Sequence, residues 1–429
     1  MRYITADYIF PISSPPIPNG IVVVNDDGVI EDVINPEIRN QIPHMREEIR
    51  KEELEIYRGI LCPGFINSHC HLELSHLKGM LSEGKGLTQF IREIIPKRNA
   101  SPEVIQQAIV KAEDEMIANG VVGVGDICNS NHTFVQKAKG RFRYHNFIEL
   151  FDLDANNAVS AFEKGILLAE ELTGAIPHMR DQISNLKSEI SLTPHAPYTV
   201  SSKLLKLIKA YAEANDSILS IHNQETSSEN EMFVSGKGDL IETLKSLNSV
   251  FIDWKPTGLS SFASTLAELA TSNKMLMVHN TYTTKEDIVL VNLKSQISNL
   301  KSLYWCFCPN ANLFIEKRLP DFRLFMDGSR PPVSSGYVRT GKITIGTDSY
   351  ASNWSLSILD ELKTIHHHKP DIPLATLLQW ATLNGAEFFG WDKELGSIEK
   401  GKRPGFNLIE YADLFKMQLT PESSVKKIV

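Results

Sequence analysis

The sequence predicts an α/β protein whose central part is a (β/α)8 TIM-type barrel, and two observations lead to that fold class. The first is a rhythm of apolar strand candidates separated by helical stretches through the middle of the chain. The second is that polar side chains able to bind a metal stand at the ends of several of these strands. Both chain ends contain short strands and turns, which predict a smaller β-rich part.

The strand candidates are short apolar segments, and helical stretches lie between most of them. The strand candidates lie at 61–68, 120–127, 143–150, 189–194, 217–222, 275–279, 302–308 and 342–347. The helical stretches lie at 102–119, 157–173, 201–215, 260–273, 284–293 and 373–389. A doubly wound open sheet produces a similar alternation, so the rhythm alone leaves both folds open. Polar residues follow the first, fourth, fifth, sixth and eighth strands, and only a closed barrel brings these strand ends to one mouth.

The two chain ends differ from the middle because they carry strands without long helices. Gly20–Val24 is an apolar strand candidate followed by a hairpin-type turn, Asn25-Asp26-Asp27-Gly28. Residues 395–398 and 406–409 are further strand candidates near the other end. The segment 36–57 is charge-rich and has no long apolar stripe, so we expect it at the surface.

Length and composition exclude several classes of protein. A chain of 429 residues is long enough for a barrel and an accessory unit, and its 42% hydrophobic and 22% charged residues fit a globular enzyme. The net charge of −8 argues against a nucleic-acid binder, because no basic surplus is available to neutralise phosphates. Five cysteines do not form a disulfide framework. The first residues lack the apolar region of a signal peptide, and no 18-residue apolar run occurs, which predicts a cytoplasmic location.

The most informative motif is a pair of histidines at the end of the first strand candidate. His69 and His71 are separated by Cys70, and residues i and i+2 of a strand point to the same side. Two neutral imidazoles on one rigid strand end form half of a zinc site. The His-x-His triplet alone is a weak signal, but here it follows an apolar strand and Pro63-Gly64-Phe65.

Polar residues complete the site at four other strand ends. His195, His222 and His279 each end an apolar strand candidate, and Asp348 follows Ile343–Thr347. Glu225 stands three residues after His222, where it can carry a proton beside the same ion. An aspartate in the position of Asp348 can serve as a fourth ligand and accept a proton from water.

Each of these residues has an ordinary structural alternative. A single strand-end histidine is more often hydrogen-bonded within the fold, and Asp348 could merely cap the next helix. These ordinary roles do not explain why all of these residues stand at equivalent strand ends. His366–His368 fall in a predicted helix, where consecutive residues point in different directions, so we expect them at the surface. Cys306 and Cys308 have no second cysteine pair, and core packing is the favoured interpretation.

Six segments, in order along the chain, resemble the amidohydrolase superfamily, specifically the branch of aminohydrolases and chlorohydrolases that includes S-adenosylhomocysteine/methylthioadenosine deaminases. These segments are Pro63–His71, Pro194–Thr199, His222–Thr226, Val278–Asn280, Cys308–Leu313 and Gly346–Ser349. His71–Ser75 and Thr88–Ile95 are most similar to aminodeoxyfutalosine deaminases. The terminal strands resemble a composite β-sandwich. The expected domains are therefore 1–58 plus 391–429 for the sandwich and 59–390 for the barrel.

The resemblance implies one divalent metal ion, zinc in first place with iron as the alternative. Its ligands would be His69, His71, His222 and Asp348. Glu225 would be the proton shuttle and His279 would orient the attacking water, with Asp348 sharing that catalytic task. The resemblance also suggests a homodimer. Pro404-Gly405 replaces the usual acidic turn of the sandwich, away from the chemistry.

Substrate contacts are implied for three residues. His195 would contact the substrate ring. Gln89-Phe90 stands where adenosine-type deaminases have an acidic residue and a tryptophan, so Glu73 or Glu93 would have to replace the acid that binds the ribose hydroxyls. Arg143, or its neighbour Arg141, could pair with a substrate carboxylate or could equally be part of a solvated turn.

The favoured function is hydrolytic deamination of an N-heterocycle in a small-molecule substrate, most of all an adenine nucleoside. Hydroxide formed at the metal would attack the ring carbon, and ammonia would leave. Deamination of a guanine- or cytosine-type base and hydrolytic dechlorination of a triazine are alternatives that use the same residues. A catalytically silent barrel acting as a binding protein is the alternative from another class. No nucleic-acid or membrane partner is expected.

Overall fold

The computed structural model describes residues 1–36, 54–176, 189–247, 254–297, 303–326 and 342–428, and of 292–297 only the backbone. Most of the charge-rich segment expected at the surface, 37–53, lies outside the described residues.

Short strands occupy both ends of the chain and alternate with helices in the middle. The strands are β1 Arg2–Thr5, β2 Tyr8–Ile9, β3 Ile17–Pro18, β4 Ile21–Val24, β5 Ile30–Ile34, β6 Leu54–Ile56, β7 Ile60–Pro63, β8 Phe65–Cys70, β9 Val121–Cys128, β10 Arg143–Leu150, β11 Ile190–Pro194, β12 Leu219–Asn223, β13 Met275–His279, β14 Leu303–Phe307, β15 Lys342–Ile345, β16 Phe406–Glu410 and β17 Ser424–Lys427. The chain is therefore of the α/β class, as predicted.

Helices follow most of the middle strands. The helices are α1 Leu87–Lys97, α2 Pro102–Ala118, α3 Phe134–Lys137, α4 Ala158–Ala175, α5 Ser202–Asn215, α6 Ser227–Ser235, α7 Asp239–Leu247, α8 Ser261–Leu269, α9 Lys285–Ile297, α10 Pro309–Glu316, α11 Ile358–His368, α12 Leu374–Ala381 and α13 Leu383–Phe389, with 3₁₀ turns at Leu72–Leu77 and Phe322–Leu324. Within the described ranges, no helix has both the length and the apolar character needed to cross a membrane.

The predicted alternation of strands and helices is confirmed element by element. The strand candidates at 143–150 and 275–279 coincide with β10 and β13, and the other six overlap a strand of the middle region. The strand predicted at 395–398 is wrong, because these residues form a bend. Gly396 has a φ of 85°, a left-handed conformation that interrupts an extended chain.

The chain divides into two compact units. The first comprises Met1–Asn67, Glu113–Gly123 and Leu356–Val429, and the second comprises Ser68–Ala112 and Val124–Ser355.

The first unit contains two sheets built from both chain ends. Their strand orders are β5-β4-β1-β6 and β17-β16-β7-β2-β3. Strands β7 and β16 pair antiparallel with Leu61 opposite Leu408, so the two ends of the sequence share one sheet. Ile4 and Val22 of the first sheet belong to the same buried cluster as Leu61 and Leu408. This cluster is the apolar core of the unit.

Strands β8 to β15 form two four-stranded sheets, and most of their residues lie in the second unit. The strand orders are β11-β10-β9-β8 and β12-β13-β14-β15. The pairs β10–β11, β12–β13, β13–β14 and β14–β15 are parallel. Every residue of β8, β12, β13 and β14 is buried, as expected for parallel strands covered on both faces.

Backbone hydrogen bonds also join the ends of strands that belong to different sheets. The His222 amide, on β12, donates to the carbonyl that follows β11 at His195, over 2.9 Å. The amides of Thr347 and Asp348, just after β15, both donate to the His69 carbonyl of β8 over 3.0 Å. The strand ends that carry polar residues are therefore neighbours, which positions the site.

Candidate metal centre and active site

The two histidines at the end of β8 point to one side and bring their ring nitrogens together. His69 is the fifth residue of β8 and His71 follows its last residue, Cys70. The Nε2 atoms of the two histidines are 3.2 Å apart, and both side chains are buried. The alternation of side chains along an extended chain accounts for this pairing.

His222 extends the pair to three converging imidazoles. Its Nε2 atom is 3.3 Å from the Nε2 atom of His71. Its other ring nitrogen, Nδ1, donates a hydrogen bond of 2.8 Å to the His195 carbonyl. A carbonyl only accepts, so the proton of His222 is on Nδ1 and the lone pair of Nε2 is free. This is the tautomer that a metal ligand needs.

Asp348 approaches the same point from the end of β15. Its Oδ1 atom is 3.8 Å from Nε2 of His69 and 3.5 Å from Nε2 of His71. Its Oδ2 atom accepts a 2.6 Å hydrogen bond from the Ser352 hydroxyl, which holds the carboxylate in place. Gly346 permits this approach, because a Cβ there would lie 2.8 Å from the carbonyl oxygen of His69.

These four side chains fit a divalent cation. Burial lowers the pKa of His222 to about 4, and burial and the neighbouring rings lower the pKa of His69 and of His71 well below the usual range. All three imidazoles are therefore neutral, and neutral nitrogens this close together repel one another unless a cation takes their lone pairs. Three imidazole nitrogens and one carboxylate oxygen form a donor set typical of zinc.

Glu225 and His279 face each other beside this centre. The His279 Nε2 atom is 3.7 Å from Oε1 of Glu225, and both side chains are buried. Burial is the main cause that raises the pKa of Glu225 well above the usual carboxyl value, followed by the charges of Asp348 and Glu316. Burial also lowers the pKa of His279 well below its usual range. The pair therefore combines a carboxyl group that readily keeps a proton with a neutral imidazole.

The backbone around Glu225 is held by a second buried carboxylate. Glu229 accepts hydrogen bonds from the amides of Gln224 and Glu225 over 2.9 and 3.2 Å, and also from the Ser261 hydroxyl. Gln224 has a φ of 49°, so the chain turns sharply between His222 and Glu225. That turn places His222 and Glu225, three residues apart, both beside His279.

His195 directly follows β11 and lies beside His222. The ring centroids of His195 and His222 are 4.9 Å apart, and the exposed Phe151 ring is 6.3 Å from His195. The Thr199 hydroxyl donates to the Ala196 carbonyl and is 2.8 Å from Nδ1 of His195, so it accepts the proton of Nδ1. Burial lowers the pKa of His195 to about 4, so a neutral ring presents Nε2 as an acceptor.

Gln89 and Arg143 each lie close to an acidic side chain. Gln89 is in the first turn of α1 and donates a 2.8 Å hydrogen bond to Glu93. Arg143 is the first residue of β10, and its Nε atom is 3.8 Å from Glu189. Glu149, six residues further along the same strand, faces His222 instead. Arg143 therefore lies about 20 Å along the strand from Glu149, at about 3.3 Å per residue.

Glu73 and Glu93, the two candidates for the ribose-binding acid, are both engaged within the protein. Glu73 accepts hydrogen bonds from the amide and the hydroxyl of Ser130 and from the Asn129 amide. Burial raises the pKa of Glu73 to about 7. Glu93 accepts from Gln89 and from the Ser82 amide, and these bonds lower its pKa to about 2.

Two buried features of the site did not emerge from the sequence. Glu149 stands 3.5 Å from Nδ1 of His222. Lys137 and Asp126 form a fully buried ion pair of 2.5 Å, and Asp126 also accepts the amide of Leu72, the residue after His71. A charged residue inside the apolar run 147–150 is the signal that could have revealed Glu149. Lys137 lies in a short helix without a comparable signal.

Known proteins with related sequences and folds are enzymes that act on small heterocyclic molecules. An adenosine deaminase of Helicobacter pylori is 24% identical over 399 residues, which is 92% of this chain and 88% of that protein. The crystal structure of H. pylori aminofutalosine deaminase in complex with methylthio-coformycin has a TM-score of 0.73 at 21% identity and covers 100% of both chains. Atrazine chlorohydrolase from Arthrobacter aurescens, complexed with zinc, has a TM-score of 0.65 at 15% identity and covers 95% of this chain and 86% of that one.

The two structural comparisons show that this chain has the fold of those enzymes. The family model of the amidohydrolase family matches residues 60–428, which is most of the sequence and includes every predicted metal ligand. The chain therefore belongs to the amidohydrolase family.

Proposed function

We propose that this protein is a metal-dependent hydrolytic deaminase that releases ammonia from an N-heterocycle, with an adenine nucleoside as the favoured substrate. One observation carries the proposal. Three imidazole Nε2 atoms and one carboxylate oxygen converge, with separations of 3.2 to 3.8 Å from His71 to His69, His222 and Asp348 and from His69 to Asp348, and the buried pair of Glu225 and His279 stands beside them. A cation site next to a buried proton carrier is the arrangement that hydrolysis of a ring carbon requires.

Strands β8 to β15 close into an eight-stranded barrel, and the strands of both chain ends form a composite β-sandwich. The hydrogen bonds from β12 to the end of β11 and from the end of β15 to β8 support closure. The sheet shared by β7 and β16 and the common apolar core support the sandwich. We keep 1–58 plus 391–429 and 59–390 as the proposed domains.

The proposed metal ion is a single zinc, with iron as the alternative, held by His69, His71, His222 and Asp348. A zinc ion bound there would act as a Lewis acid and make water a stronger nucleophile near neutral pH. Asp348 would both bind the ion and accept a proton from the attacking water. Its Oδ1 atom faces the imidazole nitrogens, while Ser352 holds its Oδ2 atom. A homodimer and a cytoplasmic location stay predictions.

The residues around the centre can move the protons that deamination needs. Asp348 and His279 orient the attacking water and accept its proton. Glu225, whose burial favours the protonated carboxyl group, donates a proton to the ring nitrogen next to the carbon under attack. The water oxygen bonds to that carbon. Glu225 then transfers the second proton of the water to the amino group, which leaves as ammonia while the ring carbonyl forms.

The choice of an adenine nucleoside rests on the relatives and on the surroundings of His195. The relatives named above include an adenosine deaminase, and the structure of the aminofutalosine deaminase contains methylthio-coformycin. His195 can accept a hydrogen bond from the substrate through Nε2, and the Phe151 ring beside it offers an apolar face. We propose that His195 contacts the ring. The substrate contacts of Gln89 and Arg143 stay predictions.

The test is ammonia release by the zinc-loaded protein from a panel of aminodeoxyfutalosine, S-adenosylhomocysteine, methylthioadenosine, adenosine, guanine and cytosine. We expect one of the four nucleosides to have the highest kcat/KM. The matched control is Glu225→Gln, which should retain zinc and release ammonia far more slowly. Preference for guanine or cytosine would refute the nucleoside assignment. Chloride release from a chlorinated triazine, with no ammonia from the panel, would favour the chlorohydrolase alternative.

The binding-protein alternative is tested separately by the metal content of protein purified without chelators. We expect about one zinc or iron ion per chain. Protein that contains no metal, takes up none when zinc is added and turns over no substrate would contradict the proposed function.

A further inference from the structure

A buried carboxylate stands behind the proposed metal ligand His222. The Glu149 side chain is only 3% exposed, and its Oε1 atom is 3.5 Å from Nδ1 of His222, on the opposite side of the imidazole from Nε2. Within the described part of the chain, Oε1 accepts no hydrogen bond that meets the usual geometry. Its other oxygen, Oε2, accepts a 2.9 Å bond from the Asn129 side chain. Oε1, the oxygen atom that faces His222, therefore meets that ring at 3.5 Å without forming a hydrogen bond of normal geometry.

A carboxylate in this position needs positive charge nearby. Burial of an ionised carboxylate is costly unless a cation or several hydrogen bonds compensate it. The imidazole of His222 is neutral, but a divalent cation on Nε2 would draw electron density from the ring and leave Nδ1–H more positive. The Glu149 carboxylate would then stabilise that ring, and the ring would stabilise the carboxylate.

We propose that Glu149 is a positioning residue of the metal centre, which holds the Nδ1–H side of His222 and so presents Nε2 to the cation. The proposal rests on the metal centre of the proposed function and not on the identity of the substrate. Glu149 shares this task with the His195 carbonyl, which accepts the short bond from Nδ1 and fixes the tautomer. The carboxylate adds the negative charge that a carbonyl lacks.

A short network keeps Glu149 in place. Asn129, which donates to Glu149, also donates its backbone amide to Glu73 over 3.2 Å. Glu73 lies two residues after His71, in the 3₁₀ turn Leu72–Leu77. The network therefore connects the carboxylate behind His222 with the chain that follows His71, so two of the proposed ligands share one support.

Glu149 could instead be a ligand of a second cation, because Glu149, His195 and His222 have donor atoms close together. Two hydrogen bonds argue against that role. Nδ1 of His222 already donates to a carbonyl at 2.8 Å and so has no free lone pair, and Nδ1 of His195 is bonded to Thr199. One nitrogen and one carboxylate oxygen remain, which is too few for a protein zinc site.

The test compares zinc binding by wild-type protein, Glu149→Gln, Glu149→Asp and the control Glu361→Gln. Glu361 is another fully buried carboxylate, but it lies in helix α11 and not at a strand end of the site. Competition with a chromophoric chelator measures the dissociation constant of zinc, and metal analysis at saturation measures the stoichiometry. The visible spectrum of the cobalt(II) form reports the geometry at the metal.

We expect one zinc per chain in all four proteins. The zinc dissociation constant should rise about 10- to 100-fold in Glu149→Gln, the range typical of lost partners of metal ligands. Glu149→Asp keeps the charge and should recover part of that loss, which keeps the test valid should the glutamine variant fold poorly. The cobalt spectrum should change in Glu149→Gln and stay unchanged in Glu361→Gln.

Equal zinc affinity in wild-type and both Glu149 variants would overturn the inference and leave the metal centre intact. Two zinc ions in wild-type protein and one in Glu149→Gln would also overturn it, because Glu149 would then be a ligand. Wild-type protein that binds no zinc at all would refute the metal centre of the proposed function and with it this inference, a result distinct from both.

Discussion

Replacement of Glu225 by glutamine should abolish most of the turnover while leaving the metal centre intact. Glu225 is 6% exposed. Its backbone amide donates a 3.2 Å hydrogen bond to the carboxylate of Glu229. The Oε1 atom of Glu225 is 3.7 Å from Nε2 of His279, so the side chain faces that histidine. Glutamine has the same shape, so we expect the fold and the zinc content to be preserved.

The magnitude follows from the role of the carboxyl group. A positioned general acid or base contributes about 10²- to 10⁴-fold to a rate. Glu225 handles two successive proton transfers in the proposed reaction, so we expect kcat to fall by about 10³-fold or more, or roughly 4 kcal/mol of transition-state stabilisation at about 1.4 kcal/mol per tenfold. KM should change little, because the side chain acts on the reacting atoms.

The assay is steady-state ammonia release with the preferred substrate, together with zinc analysis and thermal unfolding of both proteins. Equal zinc content and equal Tm would show that the substitution lowers turnover without changing metal binding or stability. Turnover of Glu225→Gln within threefold of wild type would refute the assigned role. A variant that loses zinc as well would refute the view that Glu225 stands outside the metal coordination.

Three further perturbations test the supports of the site. Ser352→Ala removes the 2.6 Å bond to Oδ2 of Asp348 and should lower kcat by about tenfold with zinc retained, measured by ammonia release; an unchanged kcat would contradict the role of that bond. Lys137→Met leaves Asp126 buried without its partner and should lower the free energy of unfolding by about 3–5 kcal/mol, measured by denaturant unfolding. Burial raises the pKa of Glu73 to about 7, so the folded state holds the proton of this carboxyl group more tightly than the unfolded state does. The stability that Glu73 contributes is therefore fully present below about pH 4.5 and is lost as pH rises through about 7. The Tm of Glu73→Gln relative to wild type should therefore be higher at pH 8 than at pH 5, and a difference that does not depend on pH would contradict this.

The positions of the strands and of the metal-binding side chains could be predicted from the sequence because each depends on a local pattern. An apolar run ended by a polar residue is visible in Met275–His279, and the i, i+2 spacing of His69 and His71 determines that both rings face one side. Residues 395–398 have the composition of a strand, but Gly396 adopts a left-handed φ that composition does not reveal.

Features that depend on contacts distant in sequence could not be predicted. Glu149 of β10 and His222 of β12 are 73 positions apart in the numbering and belong to different sheets, so only the tertiary fold brings them together. The place of Arg143, at the opposite end of the same strand from Glu149, already follows from the predicted strand 143–150. The Gln89 side chain donates a hydrogen bond to Glu93 one helical turn away. This bond competes with any contact of either side chain to a substrate.

Strained backbone conformations occur where the proposed catalytic side chains leave their strands. Gln224, His279, Asn280 and Asp348 all have left-handed backbone conformations, with φ between 49° and 71°. Such conformations cost about 1 kcal/mol or more each for residues other than glycine, and glycine would adopt them without that cost. Two of the four positions carry an imidazole or a carboxylate that the proposed chemistry needs, so side-chain function outweighs backbone relaxation there. The surrounding bonds hold these turns, as in the 2.7 Å bond from the Asn280 side chain to the Met277 carbonyl. His279 and Asp348 are thus fixed before substrate arrives, which reduces the reorganisation that the reaction has to supply.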